Sequence, residues 1–267
     1  MPNEKIMTKI LPHKVMSDKR AMLNIACGTK MNQGWTNVDF SPYVRLRKYM
    51  PFAKILYKTG LLSSLRWERL CAVDPETVCW DLRKGLPWEA NTFDVVYHSH
   101  FLEHIPKAAV VPFLLECYRV LKPNGILRVV VPDLHHAIEL YNESWGKLDS
   151  NQASVYEIHE KSIEALYDQM VRTTATGLNE QTNKLTIFLE KRIRSSPDKT
   201  GELHRWMYDR YSLCQRLERA GYSGIQVQTD RSSAIANWLS YGLDQDKLSC
   251  PYKEGSLYIE GSKLVTN

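Results

Sequence analysis

No stretch of eighteen consecutive apolar residues occurs in this chain, so no segment is long enough to cross a bilayer as a helix. The six cysteines, at 27, 71, 79, 117, 214 and 250, form no CxxC pair and no regular framework. That argues against a disulfide scaffold and a thiolate zinc site, and for a reducing, cytoplasmic setting. Internal repeats and low-complexity tracts are missing, which excludes solenoids and arrays. The first twenty residues are polar and basic without a continuous apolar core, so no signal peptide is expected. With 267 residues, 43% of them hydrophobic and 24% charged, the chain can bury a full core as one elaborated domain.

What is present starts at residues 21 to 40, AMLNIACGTKMNQGWTNVDF. An apolar strand around Leu23 and Ile25 runs into a small-residue turn at Ala26, Cys27 and Gly28, and a second strand closes on Asp39. A carboxylate at that place can accept from both hydroxyls of a ribose. A second stretch, Asp81 to Asp133, continues the pattern: a strand over Phe93 to Tyr97, helical spacing over Phe113 to Leu121, a Pro-Asn-Gly turn, and a buried strand over Ile126 to Val131. Strand, helix, strand implies a parallel sheet.

The ordered set LNIACG, NVDFSP, DLRKGLPW, FDVVYHSHFLEHI and YRVLKPNGILRVVVPD resembles the class I S-adenosylmethionine-dependent methyltransferases, type-11 small-molecule branch, over about half the chain. The resemblance implies an α/β fold: a doubly wound, mostly parallel, seven-stranded Rossmann-like sheet with an antiparallel edge strand, plus helical insertions. It implies S-adenosylmethionine as cofactor and no metal. In the family the first strand ends in an acidic residue followed by alternate glycines; here Asn24, Ala26, Gly28 and Lys30 hold those places. Asn24 is either a ligand contact or a turn residue, and S-adenosylmethionine has no pyrophosphate for extra glycines to cradle. Asp39 matches the ribose carboxylate, and Asp81 with Leu82 matches the adenine contact. His98 and Ser99 match the lining of the methionine end. Ten residues between Gly28 and Asp39 leave no room for a full helix. Glu103 and His104 read as helix-start and loop-fixing residues, and Cys27 as a small buried residue with nothing near to activate it.

Beyond residues 1–20, an N-terminal extension, the domain spans 21–267 with insertions at about 41–70 and 134–203. A helix over Arg205 to Gly221 and strands over Gly224 to Gln228 and Ser256 to Gly261 resemble the family's closing hairpin. The second insertion is helical by pattern, with Tyr156, Ile158, Ile163, Leu166, Tyr167 and Met170 near one face and a further short helix from Leu185 to Ile193. Segments hung beyond the carboxyl ends of the strands either roof an acceptor pocket or simply cover the sheet. The first insertion carries seven basic residues and one acidic, a net +6 where the whole chain has +5. Interleaved apolar and aromatic residues suit it to an anionic membrane surface, to a phosphorylated acceptor, or to packing as a lid. No reading motif accompanies the charge, which disfavours nucleic acid.

Methyl transfer to a hydroxyl needs the acceptor held near the sulfonium and a base to take its proton. His204, opening HRWMYD, leads as that base, with His135, His136 and His100 as other candidates and Asp133 and Tyr208 as orienting groups. The expected acceptor is a small molecule, a glycan or a lipid-linked sugar of polysaccharide biosynthesis, met in the cytoplasm or at the inner membrane face. Two alternatives stand beside this: a module of the same fold that binds the cofactor without transfer, and a metallo-hydrolase using His98, His100 and His104, whose register fails because Leu102 stands where its aspartate should be.

Overall fold

The computed structural model describes residues 10–148, 153–170 and 203–264. Seven strands form one sheet: β1 Met22–Ile25, β2 Thr36–Asp39, β3 Val78–Cys79, β4 Phe93–Ser99, β5 Leu121–Pro132, β6 Ser223–Gln228 and β7 Ser256–Ser262, in the order β3-β2-β1-β4-β5-β7-β6. β3, β2, β1, β4 and β5 run parallel. β7 is reversed, pairing antiparallel with both β5 and β6, and lies one strand in from the edge that β6 forms. β1 is buried at all four residues, as expected of a strand covered on both faces.

One face is covered by two helices, α4 (Lys107–Val120) and α7 (Arg210–Arg219). Val110, Leu114, Cys117 and Val120 of α4 share one buried core with Phe93 and Val96 of β4, and full burial of each valine or leucine contributes roughly 1.5–3 kcal/mol. α7 is shorter than the pattern from Arg205 suggested. Asp209 and Ser212 form a reciprocal capping box that starts the helix at Arg210, and Gly221, at φ 90°, follows its last turn.

The other face is covered by an aromatic layer in which Trp35, Tyr97, Trp238 and Tyr241 meet edge to face or tilted. Beneath them Arg128 is fully buried. Its guanidinium donates to Asp244, to Glu260 and to the carbonyls of Ser232 and Thr229. Asp244 also accepts from Tyr97 Oη and Trp238 Nε1, and Glu260 from Ser233 Oγ and Ala234 N.

The turn expected before β5 is a bulge within it. The register with β4 jumps between Phe93 and Val95 as Leu121 gives way to Ile126. At Gly125 a Cβ would come 2.8 Å from the Lys122 carbonyl, so no larger residue fits.

The first insertion folds as three short helices: α1 Pro42–Arg47, α2 Met50–Lys58 and α3 Ser64–Ala72. Tyr57 stacks on Trp67, joining α2 to α3, while Tyr49, Phe52 and Ile55 stay exposed. The second insertion begins with α5, Leu134–Gly146, against which α6, Ala153–Met170, packs. Tyr156, Ile158, Ile163 and Tyr167 of α6 are exposed; the expected helix at Leu185 to Ile193 lies outside the described residues. Of the expected N-terminal extension, residues 11–14 are tied to the domain by Leu11 N–H to Pro87 O and Lys14 N–H to Thr36 Oγ1. Among the described residues no helix is long and apolar enough to cross a membrane.

Candidate active site

The strand order reverses between β1 and β4, so a crevice opens beyond their carboxyl ends. β1 delivers Ala26 and Gly28 there, both at φ 53°. A Cβ placed on Gly28 would meet nothing within 4 Å, so the space above this loop is open. The loop is held from below. Gly28 N–H donates to Asp39 Oδ2 at 2.8 Å, Ser41 N–H donates to Asp39 Oδ1, and Cys27 N–H reaches Val38 O. The connection to β2 contains no helix.

Asn24 is buried and its amide donates to Lys30 O at 2.9 Å and Asn37 Oδ1 at 3.0 Å. Those bonds shape the loop from inside. Burial pushes the Cys27 thiol well above its ordinary value, as expected of an inert cysteine. Trp80 N–H donates to Asp39 O, which sets Asp81 beside the end of β2. The Asp81 carboxylate takes both arms of the Arg83 guanidinium at 2.8 and 2.7 Å, and this pair holds its carboxyl below the usual range. Leu82 packs against the helix-side core.

On the β4 side, Ser99 pairs with Val130 at the end of the strand. His98 is fully buried between Phe101 and Phe113, with neither ring nitrogen hydrogen-bonded, and burial drives it down to about 4. It is an aromatic-cage residue and does not join His100 and His104, so the metallo-hydrolase set is not assembled.

The turn after β4 builds a cluster that centres on Glu103, which is 1% exposed. His100 Nδ1 stands 3.3 Å and His104 Nε2 3.9 Å from Glu103 Oε1. His204 joins from a hundred residues away: its ring lies edge-on to His104 at 4.8 Å between centroids. Arg205 N–H donates to Glu103 O at 2.7 Å and Lys107 caps the Trp206 ring at 3.8 Å, which fixes the returning segment against this turn. Burial holds His100 and His104 below the ordinary imidazole value despite the neighbouring carboxylate. For Glu103 burial pushes upward, but the two imidazoles outweigh it and the net direction is down.

The other histidines named from the sequence lie elsewhere. His135 and His136 are exposed on the first turn of α5, His135 facing Glu139 at 3.3 Å. Asp133 caps α5 by accepting from His135 N–H. Tyr208 is fully buried with an unpaired hydroxyl, and its carbonyl takes Leu134 N–H. Glu103 was the missed member. The spacing of His100, Glu103 and His104 signalled a shared turn, but nothing local announced that His204 completes it.

Residues 23–129 match a family described as "Methyltransferase domain". That match runs from β1 into β5 and so covers the parallel part of the sheet. The strand order above is the seven-stranded, mostly parallel, Rossmann-like form that the sequence resemblance implied. No curated protein sequence matches. Among solved structures, the chain is similar to a Thermotoga maritima methyltransferase described as a possible histamine N-methyltransferase. That match has 15% identity and a TM-score of 0.40, over 95% of this chain and 84% of that one. It is also similar to the 1,6-didemethyltoxoflavin N1-methyltransferase of Burkholderia thailandensis with bound S-adenosylhomocysteine, at 15% identity and a TM-score of 0.42, over 92% and 71%. A possible exported protein from Bordetella parapertussis matches at 11% identity and a TM-score of 0.40; 95% of this chain spans 64% of its length.

Proposed function

We propose that this methyltransferase O-methylates a hydroxyl of a small-molecule or glycan acceptor, a sugar of polysaccharide biosynthesis being the first class to try. The observation that supports the reading is the cluster in the turn after β4, where the ligand atoms of Glu103, His104 and His204 lie within 4.8 Å of one another. Bound S-adenosylmethionine supplies a sulfonium methyl open to in-line displacement. Ala26, Gly28 and Asp39 form the floor and ribose side of its site, and Asp81 with Leu82 the adenine side, Arg83 turning away to release the Asp81 carboxylate. Ser99 and the β4 terminus line the methionine end. His204 takes the acceptor proton, held against His104 and backed by the Glu103 carboxylate.

Support for an anionic acceptor, or one held at an anionic membrane face on the cytoplasmic side, comes from α2. It exposes Phe52 and Ile55 beside Lys54 and Lys58, with Tyr49 just ahead. The test is release of S-adenosylhomocysteine from sugar and lipid-linked sugar acceptors. Turnover with wild type that falls about a hundredfold or more in His204→Ala, with cofactor affinity retained, supports the reading. Cofactor binding with no turnover on any acceptor would instead favour the binding module. Flotation with anionic vesicles at low salt decides the membrane version, which is discarded if no protein floats.

A further inference from the structure

The hydrogen bond beside Glu103 determines which nitrogen of His104 carries the proton. His104 Nδ1 stands 3.1 Å from the Leu203 carbonyl, an acceptor only, so Nδ1 is the donor and Nε2 offers a lone pair toward Glu103. His100 Nε2 pairs with Ser256 Oγ at 3.0 Å, and its Nδ1 stands 3.3 Å from Glu103 Oε1.

A lone pair of His104 and the Glu103 carboxylate therefore meet in one buried place. Neither carboxylate oxygen of Glu103 receives a hydrogen bond of good geometry. A buried anion without a donor costs several kcal/mol unless a cation completes it. The Arg128 network shows how this fold completes a buried carboxylate when the role is structural.

We propose that Glu103, His104 and His204 bind a divalent transition-metal ion of the zinc class. The three residues' ligand atoms all lie within 4.8 Å of one another. Donors held at about 2.0–2.2 Å from one ion stand up to about 4 Å apart, so closing the set takes movements of about 1 Å. Two imidazoles and a carboxylate are the donor set of an open catalytic zinc site, and a backbone carbonyl on the outer nitrogen of His104 is the usual orienting partner of such a ligand. The inference rests on the same site as the proposed function but alters its chemistry: with an ion bound, His204 would be a ligand, and the ion would lower the pKa of an acceptor hydroxyl so that its proton passes to solvent water and not to His204.

The test is titration of the metal-free full-length protein with Co²⁺, read by visible absorption and competed with Zn²⁺, alongside calorimetry with S-adenosylhomocysteine. The expected result is one Co²⁺ per chain with an intense tetrahedral-type spectrum, displaced by Zn²⁺. Glu103→Gln and His204→Gln should each weaken it by at least about tenfold to a hundredfold, and His135→Gln should leave it unchanged. If Glu103→Gln fails to fold, His204→Gln, on the returning segment, carries the comparison alone. No stoichiometric binding, or binding that survives His204→Gln or is lost in His135→Gln, overturns the site. S-adenosylhomocysteine binding without Co²⁺ binding rejects the metal site and leaves the methyltransferase reading standing. Co²⁺ binding without S-adenosylhomocysteine binding does the reverse.

Discussion

Arg128, beneath the sheet, and Glu103, at its carboxyl end, are both buried charges, yet their surroundings differ in kind. Arg128 is matched by two carboxylates and two carbonyls, and those carboxylates are in turn matched by a tyrosine, a tryptophan, a serine and a backbone N–H. Glu103 is surrounded by imidazoles that do not satisfy it. A network with every member satisfied rigidifies a core. A buried carboxylate left short of donors, next to a crevice, marks a place where something else is to bind or where a proton is to move.

The largest effect expected from breaking this contrast is at Arg128. Arg128→Met leaves Asp244 and Glu260 buried without their cation and should lower unfolding free energy by about 3–5 kcal/mol. Urea unfolding measures it, and a loss under about 1 kcal/mol would mean the network is not what holds the aromatic layer. Next is His204→Gln, which should slow methyl transfer about a hundredfold, equivalent to about 2.7 kcal/mol, while S-adenosylhomocysteine affinity stays within about twofold. A parallel loss of affinity would make it part of the cofactor site instead.

Asp39→Ala removes the acceptor for Gly28 and Ser41 N–H and the proposed ribose contact, and should weaken cofactor binding by about 1–3 kcal/mol in calorimetry. Unchanged affinity would remove Asp39 from the site. The smallest effect is at Ala26, whose φ of 53° is unfavourable for a residue with a Cβ. Ala26→Gly should raise unfolding free energy by up to about 1 kcal/mol with binding retained, and a loss of stability would show that the loop depends on the methyl group.

The satisfied region and the unsatisfied one were not equally legible in the sequence. The parallel half of the sheet follows from short apolar runs bounded by turn residues, because β1 and β4 are buried on both faces and leave an apolar signature. The order of the last two strands depends on long-range pairing of β7 between β5 and β6, and local pattern carries no trace of it. Arg128 lies in the buried run of β5, and its partners lie over a hundred residues on, Glu260 in β7 and Thr229, Ser232 and Asp244 in connecting segments. Gly28 and Asp39 were readable because a strand end and a tight turn have local signatures. Glu103 read as a loop residue because its spacing announces a turn but not burial. His204 was named from its motif, and its meeting with His104 is set by backbone bonds from Arg205 and Trp206 to Glu103 O.

The contrast between the two buried charges is tested most directly by urea unfolding of Glu103→Gln in chelator-containing buffer. If Glu103 serves a site and not the fold, removing its charge at constant volume leaves the midpoint unchanged or raises it. A fall of about 3 kcal/mol, the scale of Arg128→Met, would instead make the histidine cluster a structural ion network and contradict the account.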